Sequence, residues 1–149
     1  MDRTRERGPS STGRAAKDFS NIATGRADAV DAAGERCTSS ASFAALPGMS
    51  KTFSFGGAAE RPVLVLFTGV FDTSPQAQAE LRLVIDGVVQ SGAGELIVRK
   101  ESTESHLATE GFNFVSDAVA PGTHTAELQW RVFVSSVCIR ARSLIVLHR

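Results

Sequence analysis

The chain has no tyrosine and a single tryptophan among its 149 residues. Surfaces that bind sugars or single-stranded nucleic acids usually expose Trp or Tyr, because the polar edges of these rings tolerate water. Trp130 falls on the apolar side of a period-2 pattern with Leu128 and Val132, which predicts that it lies in the core. The aromatic composition therefore weighs against a carbohydrate-binding surface.

Net charge is also absent, since 16 basic residues balance 16 acidic ones. This balance argues against a protein whose affinity for nucleic acid rests on bulk positive charge. The longest apolar run, 62–67, is far too short to cross a bilayer. The N-terminal segment has alternating charges followed by Gly, Pro and Ser, without the apolar stretch of a secretory signal. We expect no nucleic-acid partner and no membrane partner.

Motifs for catalysis and cofactor binding are missing from the sequence. It contains no GxSxG nucleophile elbow, and Gly92-Ala93-Gly94 lacks the following Lys-Ser/Thr pair of a phosphate loop. Acids of the segment 101–110 could be paired for glycoside hydrolysis, although a charged loop is the simpler interpretation. We therefore predict that the protein is not an enzyme and takes no cofactor.

The histidines do not form a recognisable metal site. His124 and Glu127 are separated by odd spacing, which on a regular strand sends two side chains to opposite faces. His148 lies beside Arg149, and His106 lies in a polar segment. We predict no metal ligands among them.

Two cysteines, Cys37 and Cys138, have no partners at metal-ligand spacing. They lie near the start and the end of the part of the chain that we predict to be folded, and the first and last strands of a sandwich are often neighbours. A disulfide between them is one prediction, and two small buried thiols are the alternative.

From Cys37 onward, short apolar alternations between turn signals predict an all-β fold. Asp86-Gly87 joins two apolar runs and predicts a hairpin. The segment 63–71 is apolar on both faces, as a central strand would be, and the step at 141–143 predicts a bulge or a change of sheet. We predict an antiparallel β-sandwich of jelly-roll or immunoglobulin-like type over residues 37–149.

Residues 1–36 have few large apolar side chains and form a predicted flexible N-terminal arm. Within it, 15–33 has the pattern of a short helix, because Phe19, Ile22 and Val30 fall roughly on one stripe and Gly34 would end it. This stripe is too narrow to be stable alone. We expect the arm to dock on a neighbouring subunit or a larger assembly.

The segments 120–125 (APGTHT), 127–131 (ELQWR) and 141–147 (ARSLIVL) resemble the last two strands of small jelly-roll domains in bacterial and phage proteins. Those domains are similar to the trimeric C1q and tumour-necrosis-factor-like heads of stalks and fibres. The resemblance implies a homotrimer with a non-enzymatic role. It points to a particle component, such as a phage capsid-decoration protein or a fibre head, located in a virion or in the cytoplasm.

Charges on the C-terminal strands allow two interpretations. Arg131, Arg140 and Arg142 are candidate contacts to acidic surfaces of a neighbouring subunit, or else they belong to ordinary solvated faces.

A competing hypothesis for the whole protein is a monomeric carbohydrate- or ligand-binding module. Its binding loops would be 72–78 and 100–110.

Overall fold

The computed structural model describes residues 25–91, 97–101 and 106–149, and the described part is all-β. It contains ten strands: β1 (Arg26–Ala32), β2 (Arg36–Thr38), β3 (Ala44–Phe55), β4 (Leu64–Thr73), β5 (Gln78–Ile85), β6 (Val88–Val89), β7 (Ile97–Glu101), β8 (His106–Val115), β9 (Gly122–Val132) and β10 (Val137–His148). The predicted fold class is confirmed.

The strands form two antiparallel five-stranded sheets. Sheet A has the order β1-β10-β4-β8, and β2 pairs with the far end of β10. Sheet B has the order β3-β9-β5-β6, and β7 also pairs with β5. Leaving out the short strands β2 and β6, the orders are β1-β10-β4-β8 and β3-β9-β5-β7. Successive long strands thus alternate between the sheets except at β5 and β7, which both lie in sheet B, and this is the winding of a jelly roll.

The core lies between the inner faces of the two sheets, as period-2 alternation requires. Sheet A contributes Val65, Phe67 and Phe71, all exposed by 1% or less. Sheet B contributes Leu81, Leu128 and Trp130, so the predicted core position of the tryptophan is confirmed. Each large side chain that leaves water here stabilises the sandwich by about 1.5–3 kcal/mol before entropy is counted.

The helix predicted over 15–33 is wrong in its described part, because Arg26–Ala32 is strand β1. It pairs with β10 over its whole length, from Arg26 opposite His148 to Ala32 opposite Arg142. Val30 and Ala32 pack against the core. Pairing with β10 satisfies the backbone and overrides a weak helical stripe that Gly25 already weakens. The sheet therefore begins upstream of Cys37, where the composition changes.

Two local predictions are confirmed in detail. Asp86 and Gly87 form the tight turn between β5 and β6 with φ values of 51° and 82°, as a hairpin turn of this type requires. The register of β10 against β4 shifts between Ile139 and Arg142, which is the bulge. The bulge lets Ile139 and Arg142 both point inward, while Arg140 and Ala141 between them are exposed.

Candidate functional site

The outer face of sheet A carries apolar side chains across four adjacent strands. One cross-strand row is Ala27, Leu147, Leu64 and Val115, and the next is Ala29, Ile145, Leu66 and Asn113. The leucines and Ile145 are partly exposed, and Val115 is 54% exposed. Neither row contains a charge. We call these two rows the apolar rows of sheet A.

The face continues beyond the apolar rows with small side chains. Asp31, Ser143, Thr68 and Gly111 form the next row. A shallow cavity of about 510 Å³ follows, with Val70, Thr109 and Ala141 in its lining. Because these side chains are short, a neighbouring surface could approach the backbone of sheet A closely.

The outer face of sheet B is polar and its side chains bond to one another. Thr52 Oγ1 lies 3.2 Å from Thr125 Oγ1, and Arg82 donates to Gln129 Oε1 at 2.7 and 2.9 Å. Arg131 forms an ion pair with Glu80 at 2.8 Å, where the carboxylate side chain is only 3% exposed. A face with satisfied polar groups gains little from being covered. The two outer faces therefore differ among the described residues: that of sheet A has continuous apolar rows, and that of sheet B has mutually bonded polar side chains.

Arg131 takes part in a cluster within its own chain. Its guanidinium lies 4.3 Å from the ring centre of Phe43 and 4.4 Å from that of Phe133. Arg82 lies 4.0 Å from the Phe43 ring on the same face. Stacked guanidinium and phenyl groups attract each other, so this cluster fixes the segment before β3 onto sheet B. A contact from Arg131 to another subunit stays a prediction.

Arg140 joins three elements at the far end of sheet A. It donates to Glu35 at 3.1 Å and to Asp72 at 3.0 Å. All three side chains are 40–50% exposed, so these ion pairs contribute at most about 1 kcal/mol. The subunit contact predicted for Arg140 also stays a prediction.

Cys37 and Cys138 face each other on β2 and β10 and form a disulfide. Their sulfurs and a Glu35 carboxylate oxygen lie within 4.8 Å of one another, which is metal-ligand spacing. Metals bind thiolates, and in this state the sulfurs are bonded to each other. The disulfide ties the short strand β2 to the central strand of sheet A.

Arg142 is buried, at 5% exposure, which corrects the expectation that it presents its charge to a neighbour. Its guanidinium donates to the backbone carbonyls of Pro47, Gly34 and Arg140 at 2.8–2.9 Å. Burial, with a smaller effect of the Arg36 charge, lowers the pKa of Arg142. The bulge in β10 turns this side chain inward, where it holds the loop at Gly34 and the irregular part of β3 at Pro47.

His124 lies on β9 between two hydrogen-bond acceptors. Its Nδ1 is 2.6 Å from Asp86 Oδ2, and its Nε2 is 2.7 Å from the carbonyl of Ala120. The hydrogen bond to Asp86 raises the pKa of His124, and the same bond lowers the pKa of Asp86. His124 lies on the inner side of β9, where it packs against Phe53 and Phe55. This position fits the prediction that His124 and Glu127 point to opposite faces of the strand.

His148 lies on β10, packed against the same two phenyl rings from sheet A. Its Nε2 donates to Asp28 Oδ2 at 2.7 Å, and its side chain is only 2% exposed. Its Nδ1 is buried without a hydrogen-bond partner among the described residues.

The outward position of Leu64, Leu66, Ile145 and Leu147 was not predicted, although the two-sided apolar pattern of 63–71 was a signal for part of it. The Asp86–His124 and Asp28–His148 pairs were not predicted either, because sequence gives no register between distant strands. Phe19 and Ile22 of the predicted arm lie outside the described residues. Of the predicted loops, 72–78 includes the last residues of β4 and the first residue of β5, and parts of 100–110 belong to β7 and β8.

In the described part of the chain, no helix has the length and apolarity needed to cross a membrane.

Comparisons with known proteins leave the family open. No protein-family model matches the chain, and no curated protein matches its sequence. Among solved structures, it is similar to the enzymatically active domain of tailspike protein 4 from bacteriophage CBA120, with a TM-score of 0.27 and 9% sequence identity. The match covers 84% of this chain and 20% of the length of the tailspike chain.

Proposed function

We propose that this protein is a non-enzymatic structural component that assembles as a homotrimer through the outer face of sheet A. Its place would be in a larger particle, as a phage capsid-decoration protein or a fibre head. The observation that carries the proposal is the pair of apolar rows, which run without a charge across β1, β10, β4 and β8. A contiguous apolar patch rimmed by polar residues is typical of a protein interaction site.

The apolar rows could supply the centre of a contact between subunits. A stable interface needs about 800 Å² from each partner, with an apolar centre and a polar rim. Strands lie about 4.8 Å apart and rise about 3.3 Å per residue, so the two apolar rows alone fall short of that area. They suit the centre, while the rows from Asp31 and Thr68 onward suit the rim.

The trimer and the particle rest on the resemblance of 120–131 and 141–147 to trimeric jelly-roll heads. The jelly-roll winding of the described strands agrees with the fold that this resemblance implies. Residues 1–24 precede β1, the edge strand of sheet A that contributes Ala27 and Ala29 to the apolar rows. We propose that this segment, with Phe19 and Ile22, contacts the larger assembly. Because the trimer is proposed to form through sheet A, deleting the segment should leave the trimer intact.

Light scattering on the full chain tests the assembly. We expect a mass near three times 15.8 kDa. Leu66→Glu places a charge in the apolar rows and should produce a folded monomer, because a charge covered by an apolar surface pays a large desolvation cost. The matched control is Thr52→Glu on the exposed outer face of sheet B, which should leave the mass unchanged. A monomeric wild type, or a trimeric Leu66→Glu variant, would contradict the proposal.

A further inference from the structure

A cleft of about 420 Å³ opens at the end of the sandwich where β1 begins and where β3 and β10 end. It is lined by Arg26, Ser54, Phe55, Gly56, His148 and Arg149. These residues come from both sheets, so the cleft lies between edge strands β1 and β3. Its volume is within the range of pockets that hold small molecules.

The charged groups of the cleft are basic and available. Neither Arg26 nor Arg149 forms a side-chain ion pair or hydrogen bond with any described residue. The backbone carbonyl of Arg149 accepts a hydrogen bond from Arg61 at 3.0 Å, which adds a third guanidinium nearby. The carboxylate in the vicinity, Asp28, is already bonded to His148. Unpaired guanidinium groups present planar donor sets that match carboxylate and phosphate oxygens.

A second observation comes from His148, whose Nδ1 has no partner while its side chain is 98% buried. Its Nε2 donates to Asp28, so Nδ1 is left either as an acceptor without a donor or as a donor without an acceptor. Buried polar nitrogens are nearly always hydrogen-bonded in native proteins, and the exceptions call for an explanation. His148 lines this cleft, but its Nδ1 is closed off from solvent, so it is an unsatisfied group beside the cleft and not a direct ligand contact.

We propose that this cleft binds a small organic oxyanion, a carboxylate or phosphate carried on a sugar-sized body. The Arg26 and Arg149 guanidinium groups would bind the oxyanion. The Ser54 hydroxyl and the edge of Phe55 would contact the polar and apolar parts of the body, with His148 beside them in the cleft wall. The cleft adjoins the apolar rows, since Arg26, His148 and Arg149 also line a cavity with Ala27, Leu64 and Leu147, but its residues are not members of those rows.

Titration of the full chain with D-glucuronate, glucose 6-phosphate and neutral glucose tests the site. NMR amide shifts and calorimetry measure the binding at whatever mass the protein has. We expect a dissociation constant of about 1 mM or tighter for at least one acid, and no binding of glucose. Arg26→Gln should weaken binding about tenfold, because it removes a charge-assisted pair of hydrogen bonds. The matched control is Arg36→Gln on β2, which is not among the residues lining this cleft and should bind like the wild type.

The His148 ring gives a local readout because this residue lines the cleft. Its ring shifts should change when an acid binds and stay unchanged when glucose is added. Binding of one acid and not the other identifies the oxyanion and supports the site. Equal binding of inorganic phosphate would show an adventitious ion only and overturn the proposal. It would also be overturned by absent binding of both acids, or by an Arg26→Gln variant that binds them as the wild type does.

Discussion

Replacing Asp86 with Asn should remove most of the pH dependence of stability that His124 gives this fold. Asp86 Oδ2 and the Ala120 carbonyl both lie within hydrogen-bond distance of the His124 ring, and both are acceptors. Only the protonated ring, with a hydrogen on each nitrogen, satisfies the two together. When the ring loses its proton, one of the two bonds is lost.

The direction follows from the two pKa shifts. The pKa of folded His124 is raised above its ordinary value of 6.5, mainly by the Asp86 hydrogen bond. Its stabilisation is therefore fully present below about pH 6.5 and is lost as the pH rises through the folded pKa. The pKa of folded Asp86 is lowered from 3.8, so its contribution is lost only as the pH falls through that lower value. The pair stabilises most between these limits.

The magnitude is limited by solvent. A hydrogen bond to a charged group contributes about 1.5–3 kcal/mol in a protected site. The Asp86 side chain is 48% exposed and that of His124 is 14% exposed, so we reduce this to about 1 kcal/mol. Urea unfolding at about pH 5.5 and about pH 8.5 should show the wild type losing that amount between the two conditions.

The Asp86→Asn variant isolates the effect, because Asn tolerates the φ of 51° and its oxygen can still accept from the Thr125 amide. We expect its loss of stability over the same interval to be less than half that of the wild type. The other histidines contribute equally to both proteins and cancel in the difference. An equal loss in variant and wild type would refute the assignment of the pH dependence to this pair.

Three further predictions concern stability measured by urea unfolding. Cys37→Ser should lower the free energy of unfolding by up to about 4–5 kcal/mol, since the disulfide to Cys138 closes a loop with a sequence separation of 101. Adding reductant should cause the same loss of stability in the wild type and no loss in the variant. Arg142→Met should cost about 2–4 kcal/mol by leaving buried carbonyls unpaired, and a neutral result would show that water replaces the guanidinium. Gly69→Ala should cost about 1–3 kcal/mol, because the new Cβ would lie 2.6 Å from Cδ1 of Ile139, and Gly111→Ala, with no contact under 3.7 Å, is its control.

The fold class could be predicted because period-2 alternation is local. The Asp86-Gly87 hairpin, the inward Trp130 and the two-sided strand around Phe67 all follow from residues within a few positions of one another. The strand over Arg26–Ala32 could not be predicted in this way. Its small and charged residues have no strong strand preference, and it is a strand because the distant β10 offers it a partner.

The candidate sites depended on register, which sequence does not contain. Leu64 and Leu147 are adjacent only because β4 pairs with β10 in one particular alignment. The same holds for His148 beside Asp28. Arg142 was misjudged because a bulge turned it inward, and a shift of one residue in a strand exchanges its inner and outer side chains.

The position of β10 also determines when sheet A can form. It is the last strand of the described chain, yet it lies between β1 and β4 and also pairs with β2. During synthesis, β4 and β8 can meet as a pair, but the other edge of β4 waits for residues 137–148 to emerge. Until then that edge presents unpaired backbone next to Phe67 and Phe71, which favours association with other chains. Recovery of soluble protein should therefore depend on how quickly the final strand is made and inserted.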